Sequence, residues 1–261
     1  MTPRDYGGVG ASVGSRREGA PMLKVENLEV AYGRVKAVRG ISLEVGRGEL
    51  VAVIGSNGAG KSSTLKAIAG VVAPAGGVIS LGGEAVQNTP SFGMVEKGVA
   101  LVPEGRLIFA DQTVSDNLML GAYSRIRRGE KQGVAQAFER IFELFPRLHE
   151  RREQIAGSLS GGEQQMLAIA RGLLSDPKLL MIDEMSLGLA PRILDMLFPV
   201  IRQLNAEGLS ILLVEQMATL AMAIAPRTYV MENGRIIAEG PSEVLAKDPR
   251  VMEAYLGKSG H

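Results

Sequence analysis

The octapeptide Gly55-Ser56-Asn57-Gly58-Ala59-Gly60-Lys61-Ser62 constrains this chain more than any other stretch. Its spacing, Gly-x4-Gly-Lys-Ser, is that of a phosphate-binding loop. Glycines let backbone N–H groups turn inward and approach phosphate oxygens without a Cβ in the way. A helix beginning at the loop's end adds partial positive charge. Lys61 is placed to reach the β- and γ-phosphates of a nucleotide, and Ser62 to offer a hydroxyl to Mg2+. Roughly one ordinary chain in a hundred carries such a spacing by chance, so the flanks decide. Leu50 to Ile54 is a continuous apolar run, as a strand buried on both faces requires, and Ser62 to Ala69 reads as a helix. Strand, glycine loop and helix in that order predict nucleotide binding. Gly55, Ser56, Asn57, Gly58, Ala59, Gly60, Lys61, Ser62 and the adjoining Ser63 are the candidate contacts.

Composition narrows the rest. At 261 residues with 46% hydrophobic residues, the chain can bury one large domain with a sub-lobe. Twenty-nine basic and 28 acidic residues leave a net charge of +1, no whole-chain reason to expect nucleic acid as a partner. There is no cysteine, which excludes disulfides, thiolate zinc sites and cysteine nucleophiles. No apolar run reaches the roughly 20 residues that span a bilayer. Residues 1–21, rich in Gly, Ser and Arg without an apolar segment, read as a disordered tail rather than a signal peptide.

From Met22 onward the pattern is α/β. Leu23 to Tyr32 and Ile41 to Val45 alternate as half-buried strands do. Leu179 to Asp183 and Ile211 to Glu215 are buried-strand runs. Asn233-Gly234 between two apolar segments is a hairpin turn, and Ser242 to Leu256 reads as helical. The stretch from about 88 to 176 has helical periodicity with charged faces at Val114–Ser124 and Gly133–Phe145, and predicts a helical insert. Two further motifs belong with the loop. Asp183-Glu184 ends an apolar run and would stand beside the phosphates, Asp183 holding Mg2+ through water and Glu184 polarising the attacking water. Leu159-Ser160-Gly161-Gly162-Glu163-Gln164-Gln165 has the form of a helix capping box, Ser160 with Glu163.

Together, GSNGAGKS, LSGGEQQ and Asp-Glu in this order resemble the ATP-binding cassette (ABC) family, over essentially Leu23 to Gly257. The resemblance implies a P-loop ATPase core with an antiparallel β subdomain and an inserted helical lobe, spanning 22–261. It implies ATP and Mg2+ as cofactors. It implies that Ser160, Gly161 and Gly162 bind the γ-phosphate of an ATP held by a second ATPase subunit, so that the working unit is a dimer. Tyr32 matches the adenine-stacking aromatic. Glu104 takes the position of the Q-loop glutamine near Mg2+, Ser186 to Pro191 that of the D-loop, and Gln216 that of the switch histidine, with an amide still able to donate to the γ-phosphate. Ser56 and Met185 stand where the family usually has Ala and Pro. VPEGR, SLGLAP, LFPRLHERR, ILLVEQ and AYLG are similar to the ATPase subunits of high-affinity branched-chain amino acid importers. That implies two permease partners, a periplasmic or extracellular binding protein, no nucleic acid, and a peripheral place on the cytoplasmic face of the membrane. A urea or short-amide importer ATPase is the nearest alternative, then a non-transport cassette ATPase or a catalytically silent subunit.

Overall fold

The computed structural model describes residues 19–249 and residue 251. Most of the expected N-terminal tail, and the expected helix beyond Val251, lie outside the described residues. Ten strands are present: β1 Leu23–Tyr32, β2 Val35–Val45, β3 Leu50–Ile54, β4 Gly76–Leu81, β5 Glu84–Ala85, β6 Val99–Val102, β7 Leu179–Asp183, β8 Ser210–Glu215, β9 Arg227–Glu232 and β10 Arg235–Pro241. The helices are α1 Lys61–Ile68, α2 Ser91–Glu96, α3 Val114–Gly121, α4 Tyr123–Arg127, α5 Lys131–Leu144, α6 Pro146–Glu150, α7 Gly161–Leu173, α8 Pro191–Ala206, α9 Ala218–Ile224 and α10 Ser242–Leu245.

The strands form two sheets. One is antiparallel, ordered β2-β1-β4-β5, and the other runs β10-β9-β3-β8-β7-β6. In the second, β9, β3, β8, β7 and β6 are mutually parallel and β10 is antiparallel to β9. β3, β7 and β8 are buried at every position, and the period of two sorts their residues between two cores. Leu50, Ala52 and Ile54 pack with the helical layer, including Leu118, Leu167 and Ile201. Val51 and Val53 pack with α1 and the small sheet through Leu65, Val30 and Leu43. The P-loop therefore leaves β3 between two cores that hold the strand from both faces.

One polar joint ties the small sheet to the large one. Arg227 on β9 donates to both Glu49 carboxylate oxygens at 2.7 and 2.8 Å and to the Glu44 carbonyl at 2.9 Å. The Glu44 N–H donates in turn to the Tyr229 hydroxyl at 3.1 Å. A bidentate pair of this kind fixes orientation as well as energy. Arg227→Ala, which strands the partly buried Glu49, is expected to cost on the order of 2 kcal/mol, read as a lower urea midpoint, and Arg227→Lys a smaller amount because the fork is lost.

The helical stretch differs from its expected bounds. Val99–Val102 falls inside the 88–176 range, yet it is the edge strand of the large sheet, parallel to β7. Four apolar residues, mostly buried, are strand-length and carry no helical period. The inserted helices are those between β6 and β7. There α3 and α7 touch closely, since a Cβ on Gly121 would lie 2.2 Å from the Arg171 carbonyl oxygen. Asn117, fully buried, accepts from the Phe109 N–H at 2.8 Å and donates to the Phe109 and Thr113 carbonyls, pinning the loop that enters the insert.

Candidate functional site

The loop after β3 owes its shape to its glycines. Gly58 and Gly60 have φ of 79° and 106°, a region L side chains avoid. A Cβ on Gly60 would also lie 2.6 Å from the Ala37 carbonyl oxygen. The loop lines a cavity of about 470 Å3 whose walls are Tyr32, Ala37, Asn57 to Ser63, Glu104 and Glu184. Tyr32, 46% exposed, stands at its edge beside the turn at Gly33.

Lys61 is 4% exposed. Its ammonium donates to the Gly55 carbonyl at 2.8 Å and the Ser56 carbonyl at 3.2 Å, and is ion-paired with Glu184 Oε1 at 3.0 Å. Ser62 Oγ donates to Asp183 Oδ1 at 3.1 Å. Burial pushes the Asp183 carboxyl above its ordinary range; the Ser62 hydrogen bond opposes this, the Glu184 and Glu104 charges add to it, and Lys61 opposes it again. Three carboxylates around one ammonium thus leave excess negative charge beside the phosphate loop. Among the described residues no group of three or more His, Cys, Asp or Glu is arranged to hold a metal by itself. The donors on hand, Ser62 Oγ and Asp183, are hard oxygens and few, which suits a cation that draws its other ligands from water and phosphate, as Mg2+ does.

Glu184 has a φ of 49°, uncommon for a residue with a side chain. Its N–H donates to the Val214 carbonyl at 2.9 Å. Met185 behind it is fully buried in the core, so packing holds the connection to the next loop where a fixed φ is missing. Ser186 follows, its N–H and Oγ both bonded to Glu215 at 2.9 and 2.6 Å. Burial pushes the Glu215 carboxyl up to about 6, against the bonds from Ser186.

The signature residues lie elsewhere. Ser160 caps α7, its Oγ donating to Glu163 Oε2 at 2.7 Å and accepting from the Glu163 N–H at 3.4 Å. Ser160 is exposed, and none of Ser160, Gly161 and Gly162 lines the P-loop cavity. Gln216 is exposed and outside that lining as well. The structure thus brings Tyr32, the loop, Glu104 and Glu184 to one cavity, with Asp183 bonded to Ser62 behind it, and keeps Ser160–Gly162 and Gln216 apart from it. Ala37 and Glu215 were not anticipated as site residues. Nothing local marks Ala37, whereas Glu215, an acid closing the apolar run of β8, carries the same signal that marks Asp183 on β7.

A family model described as ABC transporter matches residues 38–186, and one described as branched-chain amino acid ATP-binding cassette transporter matches residues 235–261. The high-affinity branched-chain amino acid transport ATP-binding protein BraG of Pseudomonas aeruginosa is 46% identical over 236 residues, covering 90% of this chain and 100% of that protein. BraF of the same organism, likewise described as a high-affinity branched-chain amino acid transport ATP-binding protein, is 32% identical over 254 residues, covering 92% of this chain and 99% of BraF. An ATP-binding cassette of an ABC transporter, solved in its ADP conformation, superposes with a TM-score of 0.81 at 27% identity, over 92% of this chain and 100% of that one. A nucleotide-free cassette does so at 0.80 and 26%.

Proposed function

The chain belongs to the ABC transporter family and is an ATPase, and from that premise we propose that it powers the import of branched-chain amino acids through partner permeases. The observation that carries the substrate class is the 46% identity to BraG over that protein's whole length. The 32% identity to BraF, a second such protein in one organism, favours a second ATPase subunit as the immediate partner. No helix of the described residues is long and apolar enough to cross a membrane. Contact with the cytoplasmic face then runs through the permeases, and an external binding protein supplies the amino acid.

In this reading Tyr32 stacks on adenine, and the loop N–H groups and Lys61 bind the phosphates. Ser62 and Asp183, with Glu104 lining the same cavity, would hold Mg2+, which would supply positive charge to the phosphates when bound. Glu184 accepts a proton from the attacking water. The water oxygen bonds to the γ-phosphorus, the bond to the β-γ bridging oxygen breaks, and ADP and phosphate leave. Ser160, Gly161 and Gly162 act on the γ-phosphate of the partner's nucleotide. The exposure of Ser160 and the absence of all three from this chain's own cavity support that assignment. Gln216, also outside the cavity, is the residue whose amide would donate to a γ-phosphate oxygen.

Vesicles reconstituted with the chain, its partner ATPase, permeases and binding protein test the substrate. ATP-dependent uptake of labelled leucine is expected, abolished by Glu184→Gln. Uptake of urea without leucine would assign the chain to the other importer class.

A further inference from the structure

The Glu215 carboxylate has no part in the chemistry described so far, yet it is buried and fully engaged at the back of the site. It closes β8, whose parallel partner β7 ends in Asp183; Asp183 lies opposite Val214 in the register. Beyond that register the two strands separate. Glu184 turns through a positive φ, with its N–H on the Val214 carbonyl, and the next polar contact back to β8 is the Glu215 clamp on Ser186. Both carboxylate oxygens are used, one on the Ser186 N–H and one on its hydroxyl. The only side chain between these two tie points is Met185, buried in the core. Glu184 is therefore held on both sides, by β7 behind it and by the Glu215–Ser186 clamp two residues ahead.

We propose that Glu215 is a positioning residue for hydrolysis: by clamping Ser186 it fixes the uncommon backbone of Glu184, and with it the carboxylate that faces the attacking water, and it ties this turn to the loop bearing Gln216. The inference rests on the role given to Glu184 above. The physical reason is that a backbone in a sparsely populated region persists only where its surroundings over-determine it. Misplacement of a catalytic group by an ångström costs rate without costing substrate affinity. A single carboxylate reaching both a main-chain donor and a hydroxyl supplies that constraint. An amide at the same position retains an acceptor for the N–H but cannot match the charge-assisted pair.

Steady-state ATPase assays on Glu215→Gln and Glu215→Ala test this, with Glu184→Gln alongside and nucleotide affinity followed by a fluorescent ATP analogue. The expected order of kcat is wild type, then Glu215→Gln, then Glu215→Ala. The alanine variant should fall at least about tenfold, with KM and nucleotide affinity within about twofold. The glutamine variant is isosteric and decides the matter should the alanine variant not fold: it should lose about threefold or more in kcat at unchanged KM. A kcat within about 1.5-fold of wild type in a folded Glu215→Gln chain overturns the proposal, as does a loss of affinity matching the loss of kcat. If Glu184→Gln itself turns over at the wild-type rate, the failure belongs to the role of Glu184 and not to the clamp alone.

Discussion

Glu184→Gln is expected to bind ATP with an affinity within about threefold of wild type and to hydrolyse it at least about 100-fold more slowly, the range for removal of a general base. The expectation follows from position. Glu184 lines the phosphate cavity, 9% exposed, within 3.0 Å of Lys61. A bound γ-phosphate competes for the same ammonium and frees the carboxylate to face water. Glutamine occupies the same volume and still accepts from Lys61, so binding survives while the proton acceptor is gone. Single-turnover hydrolysis, with nucleotide affinity measured separately, checks both halves. Wild-type turnover would remove Glu184 from the mechanism.

Lys61→Ala is expected to do more, because it strikes binding and stability together. The lysine's donors are spent on the Gly55 and Ser56 carbonyls and on Glu184. Without it the phosphates lose a charged contact, and ATP affinity should fall on the order of 100-fold. Glu184 is also left buried and unpaired near Asp183, at a cost on the order of 3 kcal/mol in folding. Asp183, whose carboxyl is already raised by burial, loses the opposing Lys61 charge. A carboxyl raised in the fold contributes stability at low pH that is lost as pH climbs through its folded value. The deficit of the variant should therefore be largest at neutral pH and shrink on acidification. Adding Glu184→Gln to Lys61→Ala should recover part of the stability, since it removes the stranded charge; a thermal melt of the three variants at two pH values reads this.

The parts of the fold that were legible in the sequence are those that local pattern determines. β1, β3 and β7 follow the expected strands residue for residue, because alternation or a bounded apolar run is complete within each. The Asn233-Gly234 turn joins β9 to β10 with φ of 48° and 80°, as its residue types require. β6 was hidden: four apolar residues between helices acquire their identity only from pairing with β7, some eighty positions later. β4 was hidden for the same reason, since its glycine start is poor strand sequence and its partner is β1. In the site, the loop, Asp183 and Glu184 were readable because chemistry dictates their types at fixed spacing. The Glu215–Ser186 clamp could not be read, because it depends on how distant segments pack; the separation of Ser160 from the loop follows only from the family resemblance, not from local pattern.

That separation bears the central claim, that the P-loop site is completed by the signature of another chain. The most direct measurement mixes two variants under conditions where the wild-type chain hydrolyses ATP. Lys61→Ala spoils the loop and spares the signature; Ser160→Arg does the reverse. Each alone should be inactive. If the site forms between chains, co-assembled variants carry one intact loop facing one intact signature and recover activity, up to about a quarter of wild type for random pairing of equal amounts. A mixture as inactive as its two components, with co-purification showing both variants in one dimer, would contradict the account and place the whole site within one chain.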